Sequence, residues 1–139
     1  MNFLAHIYLS GEDEGITIGN FIADGIKGKK YLKYPAKIQK GILLHRSIDS
    51  YTDHHPTVRR STARLHKNYG HYSGVIVDIL YDHYLAKNWE KYHATPLEDY
   101  VENFYELLRS NYEMLPSRIK KMMPYMISDI WLLSYATVP

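Results

Sequence analysis

The chain has 139 residues, of which 45% are hydrophobic and 23% are charged, and its formal net charge is +2 at pH 7. These values predict one globular domain, residues 1–139, with its own hydrophobic core. Because the chain has no cysteine, a disulfide scaffold, a cysteine-ligated zinc site and a thiol nucleophile are excluded. We expect no membrane span, no signal peptide and a cytoplasmic protein.

The spacing of apolar residues favours helix along almost the whole chain, and no segment alternates as a strand would. The predicted helices cover residues 2–9, 16–26, 36–51, 57–68, 73–89 and 97–112. A short seventh helix is expected between Pro116 and Pro124, and a last helical piece around Trp131. A break is expected over residues 53–56, because Pro56 disfavours helix in the residue before it. The predicted fold class is therefore all-α, a single-domain helical bundle.

The third predicted helix carries an imidazole and two carboxylates on one face. His45, Asp49 and Asp53 lie on successive turns, and Ile38 and Ile42 share their side of the helix. Polar and charged groups in an apolar stripe are costly to bury without a partner. A metal ion would remove that cost, so this segment predicts half of a metal site.

Three other predicted helices repeat this arrangement. The first carries His6, the second carries Asn20 and Asp24 spaced i, i+4, and the fifth carries Asp78 and Asp82 with the same spacing. If these faces converge, their carboxylates would repel one another, and a divalent cation would remove the repulsion. Carboxylate oxygens with imidazole suit manganese, iron or magnesium, and such an ion supports metal-assisted hydrolysis.

Each of these residues also has an ordinary structural explanation. A lone His6 on an apolar face is more often a satisfied core histidine than a ligand. Asn20 with Asp24 could form a capping device, and Asp78 with Asp82 could lie on a solvated face. The joint pattern favours a site, because four helices would each need a separate explanation.

Two further residues lie about 100° around their helices from the predicted ligands. Arg46 could pair with an acid on a neighbouring helix or contact a substrate phosphate. His83 could support the site from beside Asp82 or lie at the surface.

Positive charge is concentrated in two regions. Residues 27–40 contain six lysines and no acid, and residues 57–67 contain Arg59, Arg60, Arg64 and Lys67, again without an acid. These regions would attract an anionic partner, although solvated lysines alone would give the same composition.

Four segments together resemble the acyl carrier protein phosphodiesterases, or ACP hydrolases, a family related to the HD-domain phosphohydrolases. The matching segments are MNFLAH at residues 1–6, GNFIAD at 19–24 with Gly28, GILLHRSID at 41–49 with Thr52, Asp53 and Pro56, and DILYDHYLAKNW at 78–89. The resemblance implies an HD-like helical fold and a Mn²⁺-dependent hydrolase, with iron or magnesium as alternatives. The reaction would cleave the phosphodiester between the carrier-protein serine and 4'-phosphopantetheine.

The resemblance also implies roles for individual residues. The metal candidates are His6, Asp24, His45, Asp49, Asp82 and His83. The catalytic, supporting or substrate-contacting candidates are Asp24, His45, Asp49, Asn20, Arg46, Asp53 and Asp78. The implied partner is an acidic acyl carrier protein, bound through residues 27–40 and 59–67, with no nucleic acid expected. Family members usually continue beyond an element like Trp131 to Tyr135, so a further C-terminal segment is expected.

Two other functions are compatible with the residues themselves. The same metal cluster would serve a phosphohydrolase that acts on a nucleotide or another small phosphoester. A non-catalytic helical module could use the basic regions to bind an acidic partner or nucleic acid, but it would not need buried carboxylates.

Overall fold

Helices account for the regular structure of residues 3–128, the part of the chain described by the structure, a computed structural model. The α-helices in this range are α1 (Phe3–Leu9), α2 (Glu14–Ile22), α3 (Ala36–His54), α4 (Pro56–Tyr69), α5 (Ser73–Lys87), α6 (Leu97–Ser110) and α7 (Ser117–Ser128). The connections include 3₁₀ turns at Ala23–Gly25, Lys30–Lys33, Gly70–Tyr72, Trp89–Lys91 and Tyr112–Met114. The all-α prediction is confirmed for these residues, and none of their helices is long and apolar enough to cross a membrane.

The C-terminal ends of α2 and α3 differ from the prediction. α2 ends at Ile22 and is followed by a 3₁₀ turn, where a continuous helix to residue 26 was expected. α3 continues to His54, so the expected four-residue break is wrong, and His55 alone has an extended backbone before Pro56. A single extended residue is enough to satisfy the steric demand of proline on its predecessor.

Pro124 does not end α7, as the sequence prediction had it, but lies inside the helix. A proline there removes one backbone hydrogen bond. Met123 and Met126 on either side of it are buried, and their packing offsets that loss. The helical piece expected around Trp131 lies outside the described residues.

α2 and α3 cross with their backbones in direct contact. A Cβ atom added to Gly19 would lie 2.1 Å from the carbonyl oxygen of Ile38, and one added to Gly41 would lie 2.2 Å from that of Ile16. No side chain fits at either position without separating the helices. This crossing fixes the distance between the two helices that carry most of the candidate site.

The hydrophobic core packs around α2 and includes Ile38 and Ile42 of α3. α6 buries Val101, Phe104, Tyr105 and Leu108 along one stripe, and the ring of Phe104 meets that of Phe21 in a T-shaped contact at 4.9 Å. Buried side chains of this size contribute about 1.5–3 kcal/mol each. This packing holds α2 in place where its backbone contacts α3 at Gly19 and Gly41.

We expect Gly19→Ala and Gly41→Ala each to lower the free energy of unfolding by about 3 kcal/mol, because the new methyl group meets backbone atoms that cannot move aside cheaply. Gly74→Ala is the matched control, since a Cβ at this helical position meets nothing within 4 Å. Urea unfolding followed by circular dichroism measures the three variants. Equal stability of all three would contradict the close crossing.

Candidate metal centre

Three predicted ligands from α1 and α3 converge. His6 Nε2 lies 3.0 Å from Asp49 Oδ1, and His45 Nε2 lies 3.2 Å from Asp49 Oδ2. The two imidazole rings stack with centroids 3.8 Å apart and planes 11° apart. One ligand atom from each residue lies within 4.8 Å of the others, a spacing that a single metal ion could bridge. Both histidines are buried, whereas Asp49 is partly exposed.

Asp24 joins this cluster from the 3₁₀ turn after α2. Its Oδ1 lies 3.1 Å from His45 Nε2, although its side chain is 63% exposed. The early end of α2 brings this carboxylate over α3. The cluster therefore has a buried side formed by the histidines and a solvent side formed by Asp24.

Asn20 is hydrogen-bonded to both histidines of the cluster. Its main-chain carbonyl accepts a hydrogen bond from His45 Nδ1 at 2.8 Å, and its side-chain Nδ2 donates to the carbonyl of His6 at 2.9 Å. Because a carbonyl can only accept, His45 Nδ1 carries a proton, and Nε2 is the nitrogen that faces the carboxylates. A backbone carbonyl in this position orients a metal-binding histidine.

Ser10 is a member of this arrangement that the sequence prediction missed. Its hydroxyl donates to the carbonyl of His6 at 2.7 Å and accepts from Asn20 Nδ2 at 2.9 Å. Its spacing of four residues from His6 was the available signal. Ser10 and Asn20 are both buried, so this pair fixes the end of α1 against α2.

The cluster places positive charge between carboxylates. Burial disfavours the charged imidazole of His45, but hydrogen bonds and charges from Asp24 and Asp49 outweigh it and raise the pKa of His45 to about 9. The hydrogen bond from His45 lowers the pKa of Asp24. Burial acts to raise the pKa of Asp49, but the contacts with His45 and His6 outweigh it and lower that pKa.

The donor set fits a divalent cation. Two imidazole nitrogens with carboxylate oxygens are ligands that manganese and iron accept, and His45 already has the orienting hydrogen bond on its second nitrogen. Within residues 3–128, the buried Nδ1 of His6 has no hydrogen-bond partner. In the structure the carboxylates of Asp24 and Asp49 thus contact the imidazole of His45 at the point where a cation would bind.

A cavity of about 340 Å³ opens beside the cluster. Its lining includes Asp24, His45 and Asp49 together with Lys27 and Arg46. A phosphoester entering this cavity would meet the candidate ligands and two cationic side chains together.

Three other predicted site residues do not contribute atoms to the converging group. Asp53 is exposed near the end of α3. Asp78 on α5 is half-buried, and burial, together with the negative charges of Asp49 and Asp53, raises its pKa. His83 is buried beside the ring of Tyr84, and its nitrogens are not among those that converge.

Asp82, predicted as a metal ligand, binds the backbone of α1 in the structure. Its Oδ2 accepts from the backbone N–H of Leu4 at 2.8 Å, and its Oδ1 accepts from that of Ala5 at 3.0 Å. The first turn of a helix has free N–H groups, and this fully buried carboxylate binds two of them. Burial raises the pKa of Asp82 to about 6, while the two N–H donors act in the opposite direction.

We expect Asp82→Ala to lower the free energy of unfolding by about 2–3 kcal/mol, because two buried N–H groups lose their acceptor. Asp99→Ala is the control, since Asp99 is an exposed acid in the first turn of α6. Chemical denaturation measures both changes. A loss no greater for Asp82→Ala than for Asp99→Ala would show that the carboxylate does not hold α1.

The chain is similar to known proteins along its whole length. Residues 1–139 match the family model described as acyl carrier protein phosphodiesterase. The chain is 31% identical to the acyl carrier protein phosphodiesterase of Yersinia pestis and 32% identical to that of Pectobacterium atrosepticum, over 100% of this chain and 72% of each relative. The protein of that name from Escherichia coli O139:H28 is 30% identical over 97% of this chain and 70% of its own length. No solved structure matches. The chain belongs to the acyl carrier protein phosphodiesterase family.

Proposed function

We propose that this protein is a phosphodiesterase that removes 4'-phosphopantetheine from the serine of holo acyl carrier protein and leaves the apo form. Family membership supports the substrate. The observation that carries the chemistry is the convergence of His6, His45 and Asp49 beside a cavity with cationic walls.

We further propose His6, His45, Asp49 and Asp24 as the ligands of a divalent cation, with Mn²⁺ favoured and iron or magnesium as alternatives. When bound, the cation would polarise a phosphoryl oxygen and lower the pKa of a bound water. The metal role predicted for Asp82 is not part of this proposal, because both of its oxygens bind the backbone of α1.

The cationic side chains of the cavity bind and orient the diester in this proposal. Arg46 and Lys27 both line the cavity, and their charges would offset those of the phosphate oxygens. Asp53 and Asp78 are kept as proposed substrate-contacting groups, and the charges of Asp49 and Asp53 both act on Asp78. The carboxylate of Asp24, at the solvent edge of the cluster, faces the direction from which substrate enters.

We expect His45→Ala to reduce release of pantetheine from holo carrier protein at least about 100-fold, since the central ligand and its carboxylate contacts are lost. The helical circular dichroism spectrum should be retained. His71→Ala is the control, because His71 is an exposed histidine in the 3₁₀ turn Gly70–Tyr72, outside both basic regions. Turnover within twofold of the parent protein for His45→Ala would contradict the proposed site.

The same assay separates the proposed substrate from the alternatives. Purified protein with Mn²⁺ is incubated with holo carrier protein, with nucleotides and with a small chromogenic phosphodiester. Hydrolysis of nucleotides with the carrier left intact would favour the small-phosphoester alternative. Absence of bound manganese or iron, with no activity after either is added, would favour a binding module.

We also propose that the two basic regions, residues 27–40 and 59–67, attract the acidic carrier protein. Charges of one sign on a surface increase the association rate with a partner of opposite sign, and salt screens the effect.

Charge reversal at Lys29, Lys30 and Lys33 should therefore weaken carrier binding by about tenfold or more at low salt and reduce its salt dependence. The control reverses three exposed lysines outside the basic regions, Lys87, Lys91 and Lys121, and so matches the change in net charge. Fluorescence anisotropy with labelled carrier protein measures both at several ionic strengths. Equal affinities for both triple variants would place the partner surface elsewhere.

A further inference from the structure

One loop next to the candidate site carries only positive charge. The lysine loop, residues 27–34, contains Lys27, Lys29, Lys30 and Lys33, all exposed, and no acid. Within the described part of the chain, none of these lysines forms an ion pair with a carboxylate, whereas Lys37 pairs with Asp13 at 3.5 Å. The loop thus presents four ammonium groups to solvent without an internal counter-charge.

Arg46 of α3 holds the beginning of this loop through hydrogen bonds. Its Nη2 donates to the carbonyl of Ile26 at 3.0 Å and to that of Gly28 at 2.9 Å, and its guanidinium lies 5.2 Å from the ring centroid of Tyr31. Gly28 has a φ of 55°, which a residue with a side chain rarely adopts. The turn at Gly28 directs both carbonyl groups towards α3.

Gln39 of α3 holds the end of the loop through hydrogen bonds. Its Nε2 donates to the carbonyl of Tyr34 at 2.7 Å and reaches that of Leu32 at 3.4 Å. Gln39 and Arg46 are seven residues apart, so they lie on one face of α3, two turns from each other. One helix face therefore holds the loop at both ends.

This fastening places the loop at the opening of the candidate site. Arg46 follows His45 directly, and both line the same cavity as Lys27. The basic residues of α4 are placed differently. Its half-buried Val58 and Leu65 lie on one face, while Arg60 and Lys67 lie on the opposite, exposed face. Of the two basic regions, residues 27–40 contribute a side chain to this cavity, that of Lys27 in the lysine loop, and residues 59–67 contribute none.

We propose that the lysine loop is the surface on which an acidic protein segment next to the phosphodiester docks, and that Gln39 is a positioning residue that holds this loop in its docking conformation. The proposal rests on the proposed function for the identity of that protein, the acyl carrier protein. A loop held in place before binding loses less conformational entropy when the partner arrives. Its four charges then act together beside the cavity that Lys27 lines.

The first measurement tests the fastening without any activity. In Gln39→Leu the side-chain volume is nearly kept but the amide donor is lost, so the loop should open more often. Trypsin cleaves after lysine, and cleavage within residues 27–33 under native conditions should become about three- to tenfold faster. Cleavage in α4 should keep its rate. Asn68→Leu, an exposed amide on α4, is the matched control and should change neither rate.

The second measurement tests docking. The KM for holo carrier protein should rise about three- to tenfold in Gln39→Leu, while kcat stays within twofold. Hydrolysis of bis(p-nitrophenyl) phosphate, which has no protein portion, should be unchanged. Asn68→Leu should behave as the parent protein with both substrates.

Each result decides one part of the proposal. Unchanged tryptic cleavage in Gln39→Leu would overturn the fastening role of Gln39. Faster cleavage with an unchanged KM would overturn the lysine loop as the docking surface. If the parent protein releases no pantetheine, the proposed function fails, and direct binding of labelled carrier protein to parent and Gln39→Leu then decides the docking proposal.

Discussion

The contact between α2 and α3 at Gly19 and Gly41 determines the geometry of the candidate site. Because no side chain separates the backbones, the carbonyl of Asn20 comes within hydrogen-bond distance of His45 Nδ1. The same closeness lets Asp24, just beyond the end of α2, reach His45 Nε2 from the other side. The contacts of His45 with Asn20 and Asp24 therefore depend on two glycines that carry no chemistry themselves.

α1 depends on polar contacts because it is too short to be stable alone. A helix of seven residues has little intrinsic stability in water. Asp82 binds its first turn, and Ser10 with Asn20 binds the carbonyl of His6 near its end. These buried groups would be costly without their partners. The polar network is thus the reason why His6 stacks on His45 instead of turning with a loosely held helix.

The sequence predicted those parts of the geometry of the candidate site that one helix determines. His45 and Asp49 share a face because of their spacing of four residues, whatever the rest of the fold does. The position of Asp24 could not be predicted from one helix alone. It depends on where α2 ends, at Ile22, and apolar periodicity does not reveal that end. The role of Asp82 was not predictable in this way, because its partners are backbone N–H groups and a side-chain pattern does not record them.

α3 joins the proposed chemistry to the proposed recognition through its separate faces. Gly41 faces α2, His45 and Asp49 face α1, and the face with Gln39 and Arg46 lies about 90° further round the helix, towards the lysine loop. Successive residues such as His45 and Arg46 therefore point in different directions from the helix, at a fixed angle to each other. Because the helix is rigid over these turns, a diester bound at the ligand cluster and a protein bound at the loop would be held in one relative position. Recognition of the protein and cleavage of its phosphodiester would then depend on the same helix.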